Sequence, residues 1–269
     1  MIQQLFAALD ADLILRTPDG TQFRVFRQLL AVASPFFKDL LSLPQPPADQ
    51  LTTPVIDISD EPRAMDIVLR LIYPTDEPIL DTLDDISTAL AVALKYEMAR
   101  ATRTLRRWLV SPQHLQEAPT RVYAIACRHD FEEEASIASR HTLGINILDC
   151  PLSEDLKFIT AYSYHRLLDL HRKRSEAAQA LMVLEDDVKC MQCSASHYGA
   201  LCPPKWWSDY EKRAKEELRI HPTTDVIFSM EFLSLSAETG CQRCSQSILE
   251  SHAFLARLKR RIDELPSTI

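Results

Sequence analysis

Glycine is scarce, with four in 269 residues: Gly20, Gly144, Gly199 and Gly240. Spread so far apart, they cannot build a glycine-rich phosphate cradle, so neither G-x-G-x-x-G nor the P-loop pattern is available. G-x-S-x-G and H-E-x-x-H are missing too, which removes two common hydrolase signatures. Positive charge is short: 30 Lys+Arg stand against 38 Asp+Glu, a net charge of −8. General nucleic-acid binding needs a positive field to displace counterions, so it is not expected. No apolar run approaches the roughly 18 residues of a membrane span. The opening MIQQLFAALDAD lacks the positive start and long apolar core of an export signal. Seven cysteines without such a signal read as thiols or metal ligands in a reducing compartment, so an intracellular protein is expected.

What is present is a chain long enough for about two domains. Sixteen prolines break it into short elements, and 46% apolar residues is ordinary for a folded protein. The best-patterned stretch is Asp12–Leu41. Leu13 and Leu15 alternate with Asp12, Ile14 and Arg16; Pro18-Asp19-Gly20 marks a turn; Phe23 and Val25 continue the alternation. That pattern predicts a β-hairpin. The period then becomes helical through Leu29, Leu30 and Ala33. At Ser34-Pro35 the serine can N-cap a second helix and the proline fits its first position. Phe36, Phe37, Leu40 and Leu41 give this helix its apolar side. Upstream, Ile2, Leu5, Phe6 and Leu9 recur at helical spacing. Such a helix either covers its own domain's core or packs on a partner, and these four residues are the candidate interface.

Downstream, Val55-Ile56-Asp57-Ile58 reads as a short strand. Asp60 can cap a helix from Pro62 to Tyr73, with Met65, Val68, Leu69 and Ile72 on one stripe. Another helix starts near Asp84 or Asp85 and runs through Ile86, Leu90, Ala93 and Leu94 to Lys95-Tyr96-Glu97-Met98. Asp12, Leu29-Leu30-Ala31-Val32-Ala33-Ser34-Pro35-Phe36-Phe37, Leu71-Ile72-Tyr73 and Lys95-Tyr96-Glu97-Met98 follow one another as in a BTB/POZ domain. The chain resembles that family, in its fungal type, over roughly residues 10–110. Phe26 stands where the family's H-K-x-x-L histidine usually lies, with Arg27 after it. The resemblance implies an α+β fold, a small sheet with packed helices. It also implies a protein-interaction module, often dimeric, and not an enzyme. Cullin-binding members often carry a hydrophobic-x-glutamate element after the second helix; here Ser42-Leu43-Pro44-Gln45 takes its place.

From Pro119 to about Leu184 the pattern is helical throughout. Val122, Ile125 and Ala126 mark one helix. Ala135, Ile137 and Ala138 mark the next, and Leu167, Leu168, His171, Ala178 and Leu181 a longer one from near Ser163. Pro119–Leu143 resembles the helical extension that often follows a BTB domain. Three regions are therefore expected: a BTB/POZ domain over 1–110, an all-α extension over 111–188, and a helical cysteine-rich region over 189–269. Arg100, Arg103 and Arg107 share a helix face and read as solvated. His171-Arg172-Lys173-Arg174 also reads as helix surface, and Glu132-Glu133-Glu134 as a solvated helix start.

The last region holds the motif with possible chemistry. Cys190-Met191-Gln192-Cys193 and Cys241-Gln242-Arg243-Cys244 are two C-x-x-C pairs, and two such pairs can complete a tetrahedral zinc site. The 47 residues between Cys193 and Cys241 require two distant helix ends to meet. Pro203-Pro204 opens a helix carrying Trp206, Tyr210, Ala214 and Leu218, ended by His221-Pro222, which can bring them together. Cys202 and His197 are spare ligands. Ser194 and Ser245 follow the second cysteines, where many knuckles have glycine. Buried reduced thiols and a redox pair are the alternatives. The expected activity is protein binding by a BTB-type module, through self-association or scaffolding, with structural zinc. The alternatives are a cullin-ligase substrate adaptor and a zinc-containing transcription or chromatin regulator.

Overall fold

The computed structural model describes residues 6, 8, 10–43, 53–76, 78–80, 82–194 and 202–269. They fall into two compact units, Met1–His114 and Leu115–Ile269. In the first, β1 (Leu13–Arg16) lies at the centre of a three-stranded sheet, antiparallel to β2 (Gln22–Val25) and parallel to β3 (Val55–Asp57). Leu13 pairs with Val25 and Leu15 with Phe23, and all four are buried. Gly20 supplies the positive φ of the reversal, +86°. Asp19 holds the turn by accepting from the Thr17 and Thr21 hydroxyls and the Thr21 amide at 2.6, 2.8 and 3.0 Å.

Helices α1 (Arg27–Ala33), α2 (Pro35–Ser42), α3 (Pro62–Ile72), α4 (Leu83–Lys95) and α5 (Ala99–Leu109) complete this α+β unit. The stripe expected on α3 is buried, and Ala64, Asp66, Ile67 and Leu71 are buried with it. Ser34 caps α2 as expected, accepting from the Phe37 amide at 3.1 Å, and it donates to the Tyr96 carbonyl at 2.5 Å. The start of α1 has no cap of its own. Its Arg27 amide donates to the Asp12 carboxylate at 2.8 Å, and the preceding Phe26 amide donates to the Tyr73 hydroxyl at 2.8 Å. Helix α4 is capped by Thr82, and Asp84 and Asp85 lie in its first turn, at the positive end of its dipole. It ends in a Schellman arrangement: Glu97 takes φ +52°, its amide reaching the Leu94 carbonyl and that of Met98 the Ala93 carbonyl. The Asp60 cap is not formed. Glu61 holds that position, and Asp60 instead accepts from Lys95 at 2.8 Å and from the Tyr96 hydroxyl at 2.5 Å.

Helix α6 (Pro112–Glu117) contains the division between the units. In the second unit α7 (Pro119–Arg128) and α8 (Glu132–Thr142) form a hairpin, closed by a second Schellman end with Asp130 at φ +55°. A 3-10 turn, Glu154–Phe158, leads to α9 (Ala161–Leu181), capped by Thr160. Then come α10 (Lys205–Ile220), α11 (Met230–Glu238), α12 (Cys244–Glu250) and α13 (His252–Asp263). One core joins Ala178 and Met182 to Trp206, Trp207, Tyr210 and Leu258. The expected basic surface at 171–174 is half wrong: Arg172 and Lys173 are exposed, but His171 and Arg174 are buried. Arg174 donates to the carbonyls of Pro222, Ile262, Leu265 and Pro266, so it closes the carboxy-terminal end of α13. Glu134 is likewise buried and not solvated. Among the described residues no helix is long and apolar enough to cross a membrane.

Candidate metal centre and interaction face

The two C-x-x-C pairs meet. Cys190 and Cys193 lie on the segment between α9 and α10, and Cys241 and Cys244 at the junction of α11 and α12. Their sulfurs lie within 4.8 Å of one another, with Cys190–Cys241 at 3.4 Å, Cys241–Cys244 at 3.6 Å and Cys193–Cys244 at 3.7 Å. Zinc bound tetrahedrally at about 2.3 Å to sulfur sets an edge of about 3.8 Å between ligands, so the cluster already has nearly that size.

Local chemistry shapes each half. Ser194, standing where glycine was noted as common, closes the first turn with its hydroxyl, which accepts from the Cys190 amide at 3.0 Å. Its own amide returns to the Cys190 carbonyl at 3.0 Å. At the other half, a Cβ on Gly240 would lie 2.5 Å from the Cys244 sulfur and 2.6 Å from its Cβ. No side chain fits there. A glycine directly before Cys241, in a chain with so few, was a signal the spacing argument passed over. Backbone amides also face the sulfurs: Lys205 donates to Cys193 at 3.4 Å and Cys241 to Cys244 at 3.3 Å. A relay then ties the halves together, the Trp206 indole donating to Ser247 and Ser247 to the Lys189 carbonyl, both at 2.9 Å.

Burial pushes the Cys193 thiol up to about 12. Burial also opposes ionisation of Cys241, but the Arg243 amide and hydrogen bonds from Cys190, Cys244 and Cys193 outweigh it and bring that thiol down to about 7. Four cysteine sulfurs at these separations are a soft donor set of the kind that takes zinc. Cys202 is exposed and lies outside the cluster, and His197 falls outside the described residues.

The other candidate region is the surface of the first unit. Phe6 is buried edge-on against Phe23 and Tyr73, ring centroids 5.8 and 5.4 Å apart, so it serves its own core. Ile2, Leu5 and Leu9 lie outside the described residues. Helix α1 buries only Leu30 and leaves Leu29 and Val32 at the surface, Val32 at 82% exposure. Next to it Phe36 is 39% exposed, propped edge-on against Phe37 and Tyr96. A cleft of about 570 Å³ runs beside these rings, lined by Pro18, Leu40, Ile56 and Ile58. Arg100, Arg103 and Arg107 are exposed, as expected of a solvated face.

Residues 2–112 match the BTB/POZ domain family. The first unit is therefore a BTB/POZ domain, a protein–protein interaction module. Comparison of the chain with curated proteins finds no match.

Proposed function

We propose that this is a BTB-type scaffold with two working parts. The first unit binds protein, foremost a second copy of the chain, through the apolar face of α1 and α2 together with the amino-terminal residues Ile2, Leu5 and Leu9. The second unit is a helical platform closed by structural zinc on Cys190, Cys193, Cys241 and Cys244. Four thiolates leave no open position for water, so the metal's role is structural.

The observation that carries the binding half is the exposed apolar group Leu29, Val32 and Phe36 on adjoining helices of an interaction module. Exposed apolar side chains on an interaction module are what protein interfaces use. A second groove of about 400 Å³, between α11, α12 and α13, suits recruitment of a further partner by the platform. Met230 and Leu249 on its walls are 76% and 68% exposed. A cullin-adaptor role and a chromatin role have no comparable support: Ser42-Leu43-Pro44-Gln45 replaces the adaptor element, and the net charge of −8 disfavours nucleic acid.

Light scattering coupled to size exclusion, on the full chain at rising concentration, tests the binding half. The mass should climb from 30.7 kDa toward that of a dimer. A Val32→Glu/Phe36→Glu double variant should stay at one chain, because charge on the apolar face opposes its burial. A mass of one chain at every concentration of the unaltered protein would remove self-association.

A further inference from the structure

We infer that the four-cysteine junction can be closed covalently as well as by metal, through disulfides Cys190–Cys241 and Cys193–Cys244. The inference concerns the same sulfurs as the zinc proposal but stands on their separations alone. Four cysteines allow three complete pairings. The pairing across the two turns uses the 3.4 Å and 3.7 Å contacts, so both of its bonds join sulfurs already touching. The pairing within the turns uses one such contact, Cys241–Cys244 at 3.6 Å, with the Cys190 and Cys193 sulfurs within 4.8 Å of each other. The remaining pairing, Cys190–Cys244 with Cys193–Cys241, also crosses between the turns but uses neither the 3.4 Å nor the 3.7 Å contact.

The cross-turn bonds also do something different from the bonds within turns. Each links residues 51 apart in sequence, whereas a bond within a turn spans three. Closing the longer loop restricts the unfolded chain far more. The cross-turn pair fastens the segment before α10 to the start of α12, as a metal would, and so preserves the packing of Trp206 and its bond to Ser247. Pairs within the turns would fasten nothing to anything distant. If Cys241–Cys244 forms first, the Cys190 sulfur beside Cys241 can attack it, with Cys244 leaving as thiolate; a second peroxide then oxidises Cys244 and Cys193 to the other cross-turn bond.

The oxidant is a peroxide. Two thiols and one hydrogen peroxide give one disulfide and two waters. The sulfurs are oxidised and the peroxide oxygens reduced.

The test uses the full chain carrying Cys202→Ser, which removes the exposed thiol. It is stripped of metal with a chelator and treated with hydrogen peroxide. Non-reducing proteolysis and mass spectrometry should recover peptides linked 190–241 and 193–244, with four hydrogens lost, and the product should melt above the reduced metal-free protein. Recovery of 241–244 and 190–193 links, sulfinic or sulfonic acids without linked peptides, or unchanged thiols would overturn the inference. Zinc content, measured separately on untreated protein, decides the metal proposal. A chain that binds no zinc yet forms the cross-turn links fails that proposal and supports this one.

Discussion

Glu97 and Asp130 occupy the left-handed position that ends α4 and α7, a place glycine usually takes because a Cβ there crowds the backbone. With so few glycines, the chain carries that strain twice. Glu97→Gly and Asp130→Gly should each stabilise the protein by about 0.5–1 kcal/mol, the relief of strain less the extra freedom of an unfolded glycine. Urea melts of the single variants check this, and a lowered midpoint would show that the carboxylates do more than end helices. Arg174 presents the opposite case. Its guanidinium is buried among four carbonyls, and burial pulls its pKa below the ordinary arginine value. Arg174→Ala orphans those acceptors and should cost about 3 kcal/mol. Lysine, lacking the planar fork, should restore only part. His171 adds a pH dependence. Burial, with a smaller push from His221, lowers it from 6.5 to about 4. The unfolded chain then binds the extra proton first, so stability is full above about pH 6.5, falls as pH drops toward 4, and loses on the order of 3 kcal/mol below that. His171→Leu should flatten this part of the pH–stability curve, as thermal melts between pH 4 and 7 would show.

Among the elements, the hairpin and the α1–α2 pair were legible because their instructions are local: a turn at Pro18-Asp19-Gly20, a period change, and a serine placed to cap. The polar ties around them were not. The acceptor for the α1 amide is Asp12, fifteen residues away, and Ser34 reaches a carbonyl 62 residues on. Proximity in sequence could not suggest either, and it wrongly suggested Asp60 as a cap. The buried half of 171–174 was readable in principle, since His171 and Arg174 share the α9 face with Leu167, Leu170 and Ala178. Charge in the tetrad masked the period. At the α11–α12 junction the decisive residue is Gly240. Gly240→Ala should push the Cys244 sulfur out of the cluster. Zinc retention against a competing chelator should weaken by about tenfold or more, the scale seen when groups around metal ligands are disturbed. Unchanged retention would mean that the α11–α12 junction yields more easily than its geometry indicates.

The whole molecule joins an interaction module to a helical unit whose distant cysteine pairs converge. Two C-x-x-C pairs could be recognised from spacing; their meeting could not, because it depends on the fold of the residues between them. Trp206, legible on the intervening helix, and Trp207, which was not singled out, share the core with Cys190 and Cys244. That core means metal adds to an existing apolar unit, so stripping it should loosen the junction while much of the helix remains. The most direct measurement is metal content by native mass spectrometry of protein purified without added zinc, paired with tryptophan fluorescence during chelation. One zinc per chain, lost in Cys241→Ser, with an emission change as Trp206 gains solvent, is the expected result. A metal-free mass for the unaltered chain, and emission indifferent to chelator, would contradict a zinc-closed platform.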